Sequence, residues 1–180
     1  MPKFCTERQV RHSAAQMFAL VADIERYPEF LPMCESLTIR SRNKKGDNTL
    51  IIADMSVGYK MVKECFTSQV YLQPEAHRID VQYIDGPFKY LENRWQFLPA
   101  GADGKALSLD AAKSQKSAEN NEREESQNSE SNSCLINFYI DYAFKNPMLS
   151  VLMGAMFDIA FRKFTQAFET RADKIYGADK

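Results

Sequence analysis

The sequence predicts an α+β fold in which a curved antiparallel sheet wraps around one long C-terminal helix. Three observations carry that expectation. Residues 146–177 form an apolar-rich stretch with helix start and stop signals at its two ends. A series of segments upstream alternates apolar and polar residues and is punctuated by turn residues. The two remaining helical patterns are short, and both follow directly on the first strand. Antiparallel strands that are apolar on one face need a cover, and the C-terminal helix is the long amphipathic element able to supply it.

The elements follow in order. Residues 4–11 read as a first strand. Ser13, with Gln16 three residues on, forms a capping-box pattern for a helix reaching residue 24. Residues 25–32 (ERYPEFLP) make a short second helical turn bounded by prolines. Leu37 and Ile39 lead into a turn at 43–48, and residues 50–57 return, with Gly58-Tyr59 as a tight break. Strands over 61–72 and 78–84 flank the turn Gln73-Pro74-Glu75. Asp85-Gly86-Pro87 turns into a strand over 90–98, and the last strand covers 134–144. Asn146 then suits a helix N-cap, Pro147 a first helical position and Gly177 a stop, which gives a rod of roughly 45 Å at 1.5 Å per residue. The first half of that helix is apolar around most of its girth. Such a surface is buried on several sides or touches something greasy.

Residues 101–133 differ in kind. They are rich in Ser, Asn, Glu and Lys and contain no aromatic residue. A segment of that composition cannot bury enough surface to offset its ordering entropy. It is expected to be a disordered insertion within a single domain spanning 1–180.

Composition excludes several classes of function. The 180 residues carry a net charge of −1, which argues against a broad nucleic-acid footprint and against DNA as a partner. Cys5, Cys34, Cys65 and Cys134 lack metal-type spacing, and His12 and His77 are the two histidines, so a metal site is not expected. The cysteines are expected to be small buried hydrophobes in a reducing compartment. Both histidines sit in polar surroundings and are expected at the surface. No Ser-His-Asp, Cys-His or paired-carboxylate arrangement emerges, so an enzyme is not expected. The N-terminus lacks signal-peptide order, and no run of about 20 apolar residues exists to span a membrane.

The strand faces indicate a cavity. Ile136, Phe138, Ile140, Tyr142 and Phe144 share one face of the last strand. Leu91, Trp95 and Phe97, then Val81 and Tyr83 with Ile79, then Phe66 and Val70 with Leu72, repeat the pattern in the strands before it. Leu152, Met153, Met156 and Phe157 of the helix face them. Asp54, Glu64, Asp141 and Asp158 are candidate polar groups. A hollow lined by these apolar side chains suits a hydrocarbon ligand. Tyr27, Phe30 and Leu31, with Phe88 in the turn Gly86-Pro87-Phe88-Lys89, pair aromatic and apolar residues with Gly or Pro and are candidate lips that contact a membrane surface.

Four segments carry a resemblance to a known family. They are FALVADIERYPEFLPMCESLTIRSR (18–42), VGYKMVKECFTSQV (57–70), DGPFKYLENRWQFLP (85–99) and INFYIDYAFKNPMLSVLMGAMFDIAFRKFTQAFETRA (136–172). In this order they closely resemble the coenzyme Q-binding protein family of the START-like, helix-grip superfamily, also labelled polyketide cyclase/dehydrase or lipid transport. The resemblance implies a helix-grip fold and a carrier or chaperone for coenzyme Q (ubiquinone) or a related polyprenyl quinone, serving respiration and quinone biosynthesis. It implies a bound quinone rather than a cofactor, and a cytoplasmic protein peripherally associated with a bacterial inner membrane. Two alternatives stay open. Some relatives are ribosome-associating toxins that block subunit joining, and the basic hairpin of Arg40, Arg42, Lys44 and Lys45 would be the phosphate contact. A polyketide cyclase-like enzyme is the other, and it would need an acid or base inside the pocket.

Overall fold

Among the described residues, seven strands and one 30-residue helix build the observed architecture. The structure is a computed structural model and describes residues 3–59, 61–101 and 132–177, without the side chains of residues 59, 152–156 and 158. The expected insertion therefore lies almost wholly outside the described residues. So do the side chains of Leu152, Met153, Met156 and Asp158.

The chain opens with β1 (Lys3–Val10), α1 (Ala14–Ala22), a single 3-10 turn (Ile24–Arg26) and α2 (Tyr27–Phe30). Six strands follow: β2 (Cys34–Lys45), β3 (Asn48–Tyr59), β4 (Val62–Gln73), β5 (Arg78–Asp85), β6 (Phe88–Pro99) and β7 (Cys134–Phe144). The C-terminal helix α3 covers Pro147–Tyr176. The helix ends form as their residues dictate. The Ser13 hydroxyl accepts from the Gln16 amide, and the Gln16 side chain accepts from the Ser13 amide. Asn146 Oδ1 accepts from the Met148 amide, Pro147 occupies the first turn, and Gly177 ends the helix at φ 89°.

The sheet order is β1-β7-β6-β5-β4-β3-β2, antiparallel throughout. Strands β2 to β7 form a meander, and β1 lies on the far side of β7. Gly46, at φ 63°, makes the two-residue turn between the paired Lys45 and Asn48. Register breaks at Cys34/Ser36, Ile39/Ser41, Thr67/Ser68 and Phe88/Tyr90 bend the strands and curl the sheet.

The pairing fixes two ends. At one end lie the β3–β4 turn, the β5–β6 turn and the start of α3. At the other lie α1, the β4–β5 turn and the end of α3. Helix α3 runs across the concave face and buries Ala160, Phe161, Phe168 and Ala172. Helix α1 buries Met17, Phe18, Leu20 and Val21 over the far end. The 3-10 turn and α2 fill the gap between the edge strand β2 and α3.

Burial departs from expectation at several residues. His12 is only 4 % exposed, and its Nε2 lies 2.6 Å from Asp173 Oδ1. It ties the end of β1 to the last turns of α3 and is not a surface residue. His77 is half-buried against the ring of Phe18 and adopts φ 44°. Of the four thiols, Cys34 and Cys134 are buried, whereas Cys5 and Cys65 are exposed, on β1 and β4. The start of α3 is not enclosed on all sides either, since Met148 is 70 % and Val151 81 % exposed.

Candidate functional site

Between the concave face of the sheet and α3 lies a cavity of about 140 Å3. Its walls follow from strand alternation. Phe66, Ser68 and Val70 of β4, Ile79 and Val81 of β5, Leu91, Asn93 and Trp95 of β6, and Phe138 and Ile140 of β7 all point inward. The roof is Phe157, Phe161, Phe164 and Phe168, spaced three or four residues apart along one face of α3. Ile24, Tyr27, Leu31 and Met33 close the side next to β2, with Leu37, Ala53, Met55, Val57 and Gly58 from β2 and β3. This volume is below the roughly 300–1,000 Å3 of most small-molecule sites. It is close to the ~150 Å3 at which an apolar protein cavity takes up a single benzene ring.

The expected lining divides in two. Phe66, Val70, Val81, Leu91, Trp95, Phe138, Ile140 and Phe157 face the cavity. Tyr83, Phe97, Ile136 and Tyr142 do not, although all four lie on the predicted strand faces. Phe97 is fully buried, stacked on Trp95 and edge-on to Phe18. Ile136 is its paired neighbour on β7. Tyr142 is clamped among Phe88, Phe157 and Phe161. Tyr83 packs edge-on against Phe88. Alternation identifies the concave face; the helices decide which of its positions remain uncovered. The side chains of Leu152, Met153 and Met156 lie outside the described residues.

The expected lips are corrected. Phe88 is 1 % exposed and packs against Phe66, Tyr83, Tyr142, Phe144 and Phe157, with ring centroids 4.8–6.2 Å apart. It starts β6 on the inward face opposite Phe144, so it is a wall and not a membrane contact. Leu31 is likewise buried and lines the cavity. Tyr27 is half-buried; its hydroxyl donates to the Val21 carbonyl at 2.5 Å, and burial pushes its ionisation well above the usual phenol range. Phe30 is half-buried between Tyr27 and Phe168, beneath the Arg171 guanidinium. The most exposed large apolar residues among the described ones are Met61 in the β3–β4 turn, 97 % exposed, and Met148 and Val151 at the start of α3; Ile84, Ile159, Ile175 and Tyr176 are exposed to a lesser degree. Met61, Met148 and Val151 lie at the same end of the sheet, where Lys89 and Lys145 are also exposed.

The charged groups lie outside the cavity. Asp54 is on the convex face, where it accepts from Thr67 and Arg40 at 2.6 Å each; these bonds hold its carboxyl below the usual range. Asp141 accepts from the Tyr90 hydroxyl and pairs with Lys3. Glu64 shares the strand face of Phe66, Ser68 and Val70 but stands nearer the β3–β4 turn and does not line the cavity. Burial pushes the Cys34 and Cys134 thiols up to about 11 and about 12, which leaves both unreactive near neutral pH. No described residue offers the cavity a carboxylate, an imidazole or a cation. In the basic hairpin, Arg40 is paired with Asp54 and Arg42 with Glu25, while Lys44 and Lys45 are exposed.

Two polar cavity residues were missed by the sequence reading, Ser68 and Asn93, as were Ile24, Met33, Leu37 and Gly58 on the side next to β2. The two polar residues interrupt apolar faces, Ser68 between Phe66 and Val70 and Asn93 between Leu91 and Trp95. That interruption is itself a legible signal. Both are more than nine-tenths buried. The aromatic roof of Phe161, Phe164 and Phe168 was missed as well, although its spacing is regular.

Comparison with known proteins places this geometry. Residues 10–169 match the family described as polyketide cyclase / dehydrase and lipid transport. The chain is 29 % identical over 178 residues to an Escherichia coli protein named ribosome association toxin RatA, covering 99 % of this chain and 91 % of that one. It is 28 % identical over 166 residues to the Xenopus laevis mitochondrial coenzyme Q-binding protein COQ10 homolog B, covering 92 % of this chain and 55 % of that one. Among solved structures, an 18 kDa protein of Caulobacter crescentus superposes with a TM-score of 0.71 at 26 % identity, covering 99 % of this chain and all of that one. An aromatase/cyclase from Streptomyces superposes with a TM-score of 0.67 at 11 % identity, covering 96 % of this chain and 94 % of that one, a likeness of fold alone.

Proposed function

Because the chain belongs to the polyketide cyclase / dehydrase and lipid transport family, we propose that it binds coenzyme Q or a related polyprenyl quinone and carries it at a membrane surface, without catalysing a reaction on it. The observation that supports this reading most is the cavity. Apolar walls surround it, no described ionisable group other than the bonded Tyr27 phenol reaches it, and it has the size of one ring. Each buried methylene of a prenyl chain adds roughly 0.8 kcal/mol, so a ring and a short length of tail suffice for useful affinity. The relative named as a coenzyme Q-binding protein points the same way.

In this reading the ligand enters at the end where α3 begins. Met61, Met148 and Val151 would enter the acyl boundary, and Lys89 and Lys145 would meet anionic headgroups beside them. No helix among the described residues is long and apolar enough to cross a membrane. The test is to mix the protein with ubiquinone-containing vesicles, re-isolate it, and quantify extracted quinone by mass spectrometry. About one unaltered quinone per chain is expected. A protein that emerges without quinone overturns the reading, and a chemically altered quinone would favour an enzyme.

A second reading rests on the names of the bacterial relatives, which match nearly the whole chain. Here the exposed Lys44 and Lys45 would contact ribosomal RNA. Salt-sensitive cosedimentation with ribosomal subunits, lost on replacing both lysines, would support it; no cosedimentation at low salt would end it.

A further inference from the structure

The polar pair inside the cavity fixes which part of a ligand goes where. The Ser68 hydroxyl is 6 % exposed, lines the cavity and has no hydrogen-bond partner among the described residues. Asn93 is 8 % exposed. Its Oδ1 accepts from Trp95 Nε1 at 3.0 Å, and because an indole nitrogen only donates, this sets the amide's orientation. Its Nδ2 donates one hydrogen to the Tyr139 carbonyl at 2.9 Å and keeps a second one to give. Unused donor capacity away from water costs free energy, and here the Ser68 hydroxyl and the second Asn93 amide hydrogen belong to side chains that line an otherwise apolar hollow.

The ladder locates both. Asn93 pairs with Val81, and Val81 with Val70. Ser68 stands two residues before Val70 on the same face, nearer the start of α3. The two Cα atoms are thus two strands and one pleat step apart, roughly 12 Å at ordinary strand spacings. A single ring between them can meet one donor on each side.

We infer that Ser68 and Asn93 seat a neutral ring bearing oxygen acceptors on opposite sides, ring inward beside Trp95 and hydrocarbon chain directed toward the start of α3. This rests on the carrier reading above and adds to it the ligand's orientation and the chemistry of its headgroup. Charged headgroups are excluded by the same walls, since no described lining residue would neutralise a phosphate or a carboxylate. The cavity's limited size agrees, because a ring fills it and the chain must emerge.

Trp95 is the only tryptophan and reports on the seat directly. A decyl-substituted ubiquinone would be titrated into wild-type, Ser68→Ala and Ser68→Thr protein while Trp95 fluorescence is followed. Decylbenzene, which lacks the oxygens, would be measured by competition. The inference expects saturable quenching, tighter binding of the quinone than of decylbenzene, and a Kd for the quinone raised about 3–10-fold in Ser68→Ala. Ser68→Thr should stay near wild type, and decylbenzene should bind all three alike. Quinone binding without quenching overturns the orientation. Equal affinity for the two compounds, or an unchanged quinone Kd in Ser68→Ala, overturns the hydrogen-bonded seat. If neither compound binds, the carrier reading falls and this inference with it.

Discussion

Replacing Phe88 by alanine separates a wall residue from a membrane lip. The side chain is 1 % exposed and touches five other rings, one of them stacked at 4.8 Å. Removing it forfeits the transfer free energy of a buried aromatic and leaves a hole that joins the existing cavity. Such Phe→Ala changes cost about 3–5 kcal/mol. For a chain of this length each kcal/mol lowers the melting temperature by about 2–4 °C, so Tm should fall by about 6–20 °C. Thermal unfolding followed by circular dichroism measures it, and vesicle cosedimentation of the folded variant at low temperature should remain near wild type. A Tm within 2 °C or so of wild type, together with weakened vesicle binding, would refute the burial and restore the expectation of an exposed lip.

The double variant Met61→Asp/Val151→Asp should do the opposite, cutting vesicle association several-fold with little change in Tm, because both side chains are exposed; unchanged flotation with anionic vesicles would remove that surface from the account. His12→Ala should cost about 1–3 kcal/mol by stranding the end of α3 without its buried partner, visible as a lowered urea midpoint. An unchanged midpoint would show that the His12–Asp173 contact contributes nothing. At Asp80, partial burial opposes ionisation, but hydrogen bonds from Arg78 and Arg94 outweigh it and hold the carboxyl below its usual range. A depressed carboxylate stabilises the fold above its unfolded pKa of about 3.9 and loses that contribution as pH falls through the lower folded value. Stability should therefore be flat from pH 7 to about 5 and decline below about 4, less steeply in Asp80→Asn; identical acid limbs would contradict the pairing.

Much of the architecture was legible because it is written locally. The Ser13/Gln16 box, the Asn146-Pro147 start and the Gly177 stop are signals of a few residues, and all three form as read. Strand alternation identified the concave face from β4 to β7. What it could not show is where the helices sit over that face. Tyr142 and Phe97 share the phase of Ile140 and Trp95, yet α3 and α1 cover them. Phe88 was misread because the turn Gly86-Pro87 precedes it, and turn residues suggest exposure, whereas the ladder with Phe144 pulls it inward. The His12–Asp173 contact joins residues 161 positions apart, beyond the reach of any local pattern. Ser68 and Asn93 were visible as breaks in apolar alternation, but a break acquires meaning only once the face is known to border a hollow.

The central claim is that the ligand resides inside the cavity, and filling the cavity tests it most directly. Ala53 is 2 % exposed, lines the cavity from β3 and pairs with Ser68 across the ladder. In Ala53→Phe the added ring has the hollow to occupy, so the overpacking cost of about 1–3 kcal/mol expected in a solid core should be largely avoided. Quinone captured from vesicles should then drop from about one per chain to near zero, with Tm close to wild type. Undiminished capture by that folded variant would place the ligand elsewhere and contradict the account.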